Sequence, residues 1–324
     1  MKDQKSTDFQ KIADKPSFIL GHARSGTSLL LSLLDGHPEL VVFPGELKFF
    51  KRVVNPTADN FLLRTDFQVC FYKNRFGIKG IDFSTVRDSL QRRLSDAHHK
   101  RDMLRSIIHT YAEIEPSKSN KKKRWVEKTP HNIKFVPTLE SWFPETAKYI
   151  YIVRDPRDVF ASSRKRPEYS LQKFCIDWAI NLMFAGVCKK RLGERFLIIR
   201  YEDIITNLKG IVKTLAAFLE IELCATLETP TKHGILWTGN SRFIHDRKGI
   251  DNQSISKYAQ RVKPFEIEKI ERELHNKMRQ YGYDVQIHQN HKQIISIVKL
   301  SVLLRHLLFL FEWRFPGLQT RLMP

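Results

Sequence analysis

Cysteine is scarce in this sequence, and the cysteines present are widely separated. Four occur in 324 residues, at Cys70, Cys175, Cys188 and Cys224. No two of them form a C-x-x-C pair, so neither the zinc-binding nor the redox motifs that use this spacing are predicted. The low density also argues against a disulfide framework and is typical of a protein from a reducing compartment.

The first residues lack an apolar segment. The stretch MKDQKSTDFQKIADKP is polar, and it therefore predicts neither a secretory signal peptide nor an N-terminal membrane anchor. We accordingly expect a cytoplasmic protein. Glycine and proline are modest at 14 each, and hydrophobic residues make up 42% of the chain, which is the composition of a globular protein. No internal repeat is present.

Acidic residues are too few to balance the basic ones. The chain has 55 Lys and Arg against 35 Asp and Glu, a formal net charge of +20. This excess predicts an anionic partner, such as a nucleotide, a nucleic acid, an acidic glycan or an anionic membrane. Basic residues interleaved with aromatics, a pattern typical of nucleic-acid binding, are absent. We therefore expect no nucleic-acid partner.

A loop with the layout of a phosphate-binding motif follows the apolar start of FILGHARSGTSLL. Gly21, four residues and Gly26 match G-x-x-x-x-G-K-[ST], but Thr27 stands where that motif has lysine. Backbone N–H groups of such a loop bind a phosphate together with the start of the next helix. Its cation is Arg24, whose guanidinium can contact two anionic oxygens. No magnesium site is evident, and a structural turn with coincidental glycines is the alternative.

Apolar segments followed by helical patterns recur along the chain. They are Phe18–Leu20, Lys148–Val153 and Phe196–Arg200. This alternation predicts a parallel sheet flanked by helices, and ligands of such sheets bind at the carboxyl ends of the strands. Arg154 and Ser162, after the second segment, are suited to a second phosphate. Two phosphate sites on one sheet edge indicate a nucleotide that is phosphorylated at two positions.

These patterns predict an α/β protein with a P-loop-type three-layer fold, a central parallel sheet flanked by helices. Residues 1–16 form a polar N-terminal tail, and residues 17–285 form the main domain. A basic helical pattern over about residues 51–124, which ends in PSKSNKKKR, predicts a helical insertion that either covers a substrate pocket or is a solvated surface. Residues 286–324 contain an apolar and basic C-terminal helix.

The most apolar stretch of the chain is QIISIVKLSVLLRHLLFLF, residues 293–311. Lys299, Arg305 and His306 interrupt it, and its length is borderline for a membrane span. Three arrangements are compatible with this pattern: packing on the body or on a partner subunit, peripheral contact with a membrane interface, or a membrane span.

Together, the loop and the second phosphate motif resemble the sulfotransferase superfamily, whose members use 3′-phosphoadenosine 5′-phosphosulfate (PAPS). The family loop that holds the 5′-phosphosulfate commonly reads R-S-G-T-[ST]-L, and residues 24–29 read RSGTSL. The family's 3′-phosphate motif has Arg and, eight positions later, Ser, as do Arg154 and Ser162. LLDGHPEL, GELKFF, WVEKTPHN and RYEDI match as well. The resemblance covers residues 15–283 and is closer to bacterial, tyrosylprotein and glycan members than to cytosolic ones.

The resemblance implies transfer of a sulfuryl group from PAPS to an acceptor hydroxyl or amine. PAPS would be a co-substrate, and no metal would be required. Glu46 resembles the catalytic base of glycan and tyrosylprotein members, and Glu127 is the competing carboxylate. Lys128 resembles the lysine that stabilises the transferring group, and Arg24 completes the implied catalytic set.

Further residues are implied in binding PAPS and the acceptor. A C-terminal anchor for PAPS is expected at Lys257, in SISKYAQRV, or in the segment Asp246–Gly249, and we favour Lys257. His131 and Asn132 are the candidates for the acceptor site. The expected PAPS-binding residues are Arg24, Ser25, Gly26, Thr27, Ser28, Arg154, Ser162, Tyr201 and Lys257.

Other functions remain compatible with parts of the sequence. The main alternative is a P-loop nucleotide kinase or NTPase, but the loop lacks its lysine and no clear metal-binding aspartate ends a strand. An inactive relative that binds PAPS without transfer is a further alternative. The acceptor is not identified by the sequence and could be a glycan, a lipid, a peptide or a small molecule. The oligomeric state is also left open.

Overall fold

The structure, a computed structural model, describes most of the chain. It covers residues 9–52, 83–115, 119–163, 170–237, 239, 255–286 and 297–317. Part of the expected insertion lies outside these residues, and so does the alternative PAPS anchor Asp246–Gly249.

A five-stranded parallel sheet forms the centre of the molecule. Its strands stand in the order β2-β3-β1-β4-β5, and every neighbouring pair is parallel. The first strand along the chain is therefore central, and the carboxyl ends of all five strands share one edge. The strands are β1 (Pro16–Gly21), β2 (Leu40–Val42), β3 (Arg124–Lys128), β4 (Lys148–Val153) and β5 (Phe196–Arg200).

Helices connect the strands and cover the sheet. In chain order they are α1 (Thr27–Leu34), α2 (Phe49–Arg52), α3 (Phe83–Ser95), α4 (Lys100–Ile114), α5 (Val136–Trp142), α6 (Pro156–Ser163), α7 (Leu171–Leu192), α8 (Tyr201–Thr206), α9 (Leu208–Leu219), α10 (Tyr258–Arg261), α11 (Pro264–Gln280) and α12 (Ile297–Arg314). Short 3-10 segments span Pro130–Phe135, Gly193–Arg195 and Ala225–Glu228, and β6 (Thr231–Lys232) pairs with β7 (Ile235–Leu236) in a small antiparallel sheet.

Alternation along the strands builds a separate core on each face of the sheet. Phe18 and Tyr149 lie in one core with residues of α5, α7 and α11. Ile19 and Ile150, their neighbours in sequence, lie in the other core with residues of α1, α8 and α9. Because both faces are covered, the strands read as continuous apolar runs. The predicted α/β class, with a central parallel sheet flanked by helices, is confirmed.

The described part of the expected insertion packs on the main core. Helices α3 and α4 contact each other, and Ile107 and Ile108 of α4 are fully buried. The ring of Tyr111 lies 5.3 Å from that of Phe43, which directly follows β2. Helix α4 is therefore anchored to the sheet and is part of the protein body.

Helix α12 packs on α7 and α5. The ring centroid of its buried Phe309 lies 4.2 Å from that of Phe184 in α7. Within the described ranges, no helix combines the length and the hydropathy that a membrane crossing requires. Of the three arrangements compatible with the sequence, packing on the body is thus observed for one face of this helix.

Candidate active site

The phosphate loop joins β1 to α1 through a glycine that allows a close approach. Gly26, the N-cap of α1, has a φ of 97°, in the left-handed region that favours glycine. A Cβ at this position would lie 2.2 Å from Cδ2 of Tyr201. The ring of Tyr201, the first residue after β5, therefore packs directly on the loop, in the part of the molecule where the sequence predicts the nucleotide.

The start of α1 offers several donors to an anion. The first N–H groups of a helix have no partner within it, and the first turn of α1 contains no acidic residue. Thr27 and Ser28 add two hydroxyl groups. The hydroxyl of Ser25 is buried and has no hydrogen-bond partner among the described residues. Such a group destabilises the fold, and an oxygen of a bound phosphate would satisfy it.

The second phosphate motif is in direct contact with this loop. Nε of Arg24 donates to Oγ of Ser162 over 2.9 Å, and Nη1 of Arg154 donates to the Arg24 carbonyl over 3.1 Å. The guanidinium of Arg154 also lies 4.2 Å from the centre of the Tyr201 ring, a favourable cation–π arrangement. Four predicted site residues from three parts of the chain therefore meet at one place.

Lys257 lies in a segment that is fixed to α6. The carboxylate of Asp158 accepts backbone hydrogen bonds from Ser256 and Tyr258, both over 2.8 Å. Asp158 belongs to the first turn of α6, and Ser162 follows one turn later on the same helix. The sequence contained Asp158 in RDPRD, but nothing in that motif showed that it would hold the neighbours of Lys257.

Lys128 links the phosphate loop to the predicted base. It ends β3 and is 4% exposed. Its ammonium group donates to Oγ of Ser28 over 3.3 Å and to Oε1 of Glu46 over 3.0 Å. Burial raises the pKa of Glu46, but Lys128 and Lys48 outweigh that effect, so the pKa lies below its usual value. Glu46 is therefore a carboxylate at neutral pH.

Glu127, the competing carboxylate, is enclosed by its own donors. Its side chain is 1% exposed and accepts hydrogen bonds from the Leu47 backbone over 3.2 Å, from the Thr129 hydroxyl and from the Asn132 amide over 3.2 Å. Burial raises its pKa to about 7. Because Leu47 follows Glu46, and Glu127 precedes Lys128, these bonds hold the predicted base Glu46 beside Lys128.

The two candidates for acceptor binding lie in different environments. His131 is exposed, and its pKa is lowered by desolvation although Glu46 partly opposes the shift. Asn132 is 4% exposed and donates to Glu127. His131 is thus accessible from solvent, whereas Asn132 is buried and holds the Glu127 carboxylate.

Asp155, the aspartate that a kinase or NTPase would need for binding a metal ion, already forms an ion pair. Asp155 directly follows Arg154, and both of its oxygens accept from Arg157 over 2.7–3.3 Å. Arg157 also pairs with the buried Glu271 of α11 over 2.6 Å. Within the described ranges, no group of three or more His, Cys, Asp or Glu side chains is arranged to hold a metal ion. Sequence reasoning missed this ion network, because α11 is more than a hundred positions away.

Comparison with known proteins gives a family and a fold. Residues 16–225 match the sulfotransferase family. The sulfotransferase domain from the curacin biosynthetic pathway superposes with a TM-score of 0.60 at 21% identity, over 83% of this chain and 98% of that chain. The sulfotransferase domain from the Synechococcus PCC 7002 olefin synthase superposes with a TM-score of 0.56 at 17% identity, over 91% of this chain and 94% of that chain. No curated protein sequence matches.

The family match includes the elements that build the site. It begins at β1 and ends after α9, so it contains the phosphate loop, Glu46, Lys128, Arg154 and Tyr201. The two structural likenesses independently establish the same α/β fold. Because the match spans well over half of the chain, this protein belongs to the sulfotransferase family and is a sulfotransferase enzyme.

Proposed function

We propose that this enzyme transfers a sulfuryl group from PAPS to an acceptor hydroxyl or amine. The observation that carries the proposal is the position of Lys128, which contacts Ser28 of the phosphate loop over 3.3 Å and Glu46 over 3.0 Å. Transfer of this group from a phosphate oxygen to the acceptor atom requires an anion site, a cation and a base close together. Lys128 is the cation that joins the other two.

Two sets of residues in this chain fit the two phosphate-bearing ends of PAPS, which supplies the activated sulfuryl group. Residues 24–28 fit the 5′ end, because they combine helix N–H groups, hydroxyls and the Arg24 guanidinium. Arg154, Ser162 and Lys257 fit the 3′-phosphate. Tyr201 joins the two sets, since its ring packs on the loop and lies beside Arg154.

Glu46 is the proposed base. Its lowered pKa keeps it ionised at neutral pH, so it is able to take the acceptor proton as the acceptor oxygen attacks. Lys128 and Arg24 offset the negative charge on the transferring group and on the oxygen that leaves. Glu127 is proposed to hold this arrangement and not to take the proton, because three donors already occupy its oxygens.

The acceptor side of the site is proposed to lie around His131, which is exposed and interacts with Glu46. Asn132 contributes indirectly, through Glu127. The acceptor is a hydroxyl-bearing or amine-bearing glycan, lipid, peptide or small molecule. A cytoplasmic location stays a prediction from the sequence.

Calorimetric titration of the purified protein tests the proposal. The ligands are 3′,5′-adenosine bisphosphate (PAP) and ATP, each with and without magnesium. We expect PAP to bind without magnesium, and Arg154→Ala to weaken it at least tenfold, since a charge-assisted contact to phosphate contributes about 1.5–3 kcal/mol. Arg92→Ala, which removes an exposed arginine on α3, is the matched control and should bind PAP like the wild type.

Preference for ATP with magnesium over PAP would contradict the proposal and favour a kinase or NTPase. Metal-independent PAP binding that Arg154→Ala leaves unchanged would contradict the 3′-phosphate site alone. Binding without any transfer or hydrolysis of labelled PAPS would indicate an inactive relative.

A further inference from the structure

Helix α12 is fixed to the protein body along one face. Val298 and Phe309 are 3% and 0% exposed, and the ring centroid of Phe309 lies 4.2 Å from that of Phe184 in α7. The guanidinium of Arg191, also on α7, lies 5.2 Å from the centre of the Trp313 ring. These contacts determine which side of the helix faces outward.

The outward side of α12 is apolar. Its large side chains are 48–62% exposed, and they recur at spacings of three and four residues, which places them along one side of a helix. Eight large apolar side chains that are each about half exposed on one side of a helix form a contiguous patch, and such patches are typical of interaction surfaces. This apolar face consists of Ile297, Leu300, Leu303, Leu304, Leu307, Leu308, Phe311 and the adjoining Phe315.

The charges of α12 are basic where solvent reaches them. Arg305 and Arg314 are exposed. The single carboxylate of the helix, Glu312, is 4% exposed. Arg305 lies near Lys134, whose pKa is lowered by burial and by the like charge of Arg305. The apolar face is thus bordered by cations and, within the helix, by no exposed acid.

We infer that the apolar face of α12 docks on an anionic membrane surface, with the helix lying in the plane of the interface. Exposed leucines beside arginines are typical of interfacial helices, because the leucines enter the acyl boundary while the arginines meet lipid phosphates. Pairing with a second copy of the chain fits less well. It would bring Arg305 and Arg314 of both copies to one interface, where no lipid phosphate would be present to neutralise their charges.

The docked helix would lie beside the acceptor side of the active site. Helix α12 contacts α5, and the 3-10 segment Pro130–Phe135 that precedes α5 contains both His131 and Lys134. Glu46 interacts with His131, and Arg305 with Lys134. If the proposed function holds, an acceptor in the membrane surface would therefore approach Glu46 from this side.

Vesicle flotation of the full-length protein tests the inference. The probes are vesicles of phosphatidylcholine alone and of phosphatidylcholine with phosphatidylglycerol. We expect the wild type to float with the anionic vesicles and much less with the neutral ones. Leu304→Glu/Leu307→Glu should lower the bound fraction at least tenfold. The control Leu223→Glu/Phe265→Glu makes the same charge change at apolar side chains that are 54% and 61% exposed elsewhere, and it should bind vesicles like the wild type.

Three results would overturn the inference. They are absence of wild-type binding to anionic vesicles, equal binding to neutral vesicles, and equal loss in the control variant. A dimer in light scattering that Leu304→Glu/Leu307→Glu dissociates, without vesicle binding, would assign the face to a second copy. PAP titration of every variant tests the proposed function separately from membrane docking. Retained PAP binding shows that the fold and the nucleotide site are intact, independently of the vesicle-binding result.

Discussion

At the scale of single residues, the candidate site depends on a buried charge. Lysine is seldom fully buried, yet Lys128 is 4% exposed. A buried ammonium group requires a partner, and Glu46 provides one over 3.0 Å. Because the surroundings exclude water, this cation acts more strongly on a neighbouring anion than it would at the surface. This environment is the one that the proposed role of Lys128 in the transfer step requires.

Lys128→Ala should reduce turnover much more than PAP binding. Removing one preorganised donor to a developing charge typically lowers kcat about 10²–10³-fold, and we expect a loss of that size with a change of less than about tenfold in PAP affinity. Transfer or hydrolysis of labelled PAPS measures turnover, and calorimetric titration measures PAP affinity. Lys48→Ala is the matched control, since Lys48 contacts the same carboxylate over 3.4 Å but is exposed. A comparable loss in both variants would contradict the special role of Lys128.

A second residue-scale feature is the carboxyl group of Glu127. Burial raises its pKa from the usual value to about 7. The folded chain therefore binds a proton at this site between about pH 4.5 and 7, where the unfolded chain does not. The contribution of Glu127 to stability is complete below about pH 4.5 and is lost as the pH rises through about 7.

Glu127→Gln should remove this part of the pH dependence. The free energy of unfolding of the wild type, relative to the variant, is expected to fall as the pH rises from 5 to 8, and denaturant titrations across that range measure it. Glu46→Gln is the matched control. Because the pKa of Glu46 is lowered, its contribution is present above the unfolded pKa and is lost only as the pH falls below this range. If the free energy of unfolding of Glu127→Gln changed with pH as steeply as that of the wild type, the raised pKa of Glu127 would be contradicted.

At the scale of elements, helix α6 connects the residues that are proposed to bind the 3′-phosphate. It begins at Pro156, two positions after Arg154, it bears Ser162, and its Asp158 holds the backbone on both sides of Lys257. The guanidinium of Arg157, on the same helix, also lies 4.3 Å from the centre of the Tyr258 ring. The Asp158 carboxylate acts here as a bridge between the helix and the C-terminal part of the chain.

Asp158→Asn should therefore weaken nucleotide binding indirectly, through the segment that contains Lys257. An amide has only one acceptor oxygen, so at least one of the two N–H groups loses its partner, at a cost of about 1–3 kcal/mol. We expect faster amide hydrogen exchange in residues 255–261 and roughly tenfold weaker PAP binding. Asp88→Asn, at an exposed position of α3, should change neither. Unchanged exchange in Asp158→Asn would show that other contacts hold the segment.

At the scale of the whole molecule, the net charge of +20 acts on an anionic ligand at long range. The proposed nucleotide site joins elements from β1 to α10 that are distant in sequence, so nucleotide binding should also couple to folding. A ligand that binds only the folded chain stabilises it by mass action. Both effects should be visible in one thermal experiment.

PAP should raise the melting temperature, and salt should reduce the effect. At a concentration of a hundred times Kd, a ligand adds about 2.7 kcal/mol, which corresponds to several degrees for a chain of this size. Thermal melts with and without PAP, at about 50 mM and about 500 mM salt, measure the shift, and screening should diminish it at the higher salt. A larger shift with ATP and magnesium than with PAP would contradict the assignment of the nucleotide.

The sequence by itself determined the local elements of this protein. The strand segments Lys148–Val153 and Phe196–Arg200 occur with the predicted bounds, because they depend on short-range periodicity and on turn chemistry. The α/β class follows from the alternation of such segments. The loop around Gly26 was also predictable from the sequence, since a residue with left-handed backbone before a helix locally favours glycine.

Only the tertiary structure decided which side chains meet. Glu46 and Lys128 are 82 positions apart and Arg24 and Ser162 are 138 apart. The strand pattern predicted that the two phosphate motifs share one sheet edge, but it did not predict which of their side chains form hydrogen bonds. The sheet order brings these residues to one edge. It also encloses Glu127 among donors and leaves one face of α12 exposed, because which group is covered depends on the packing of elements that are distant in the chain.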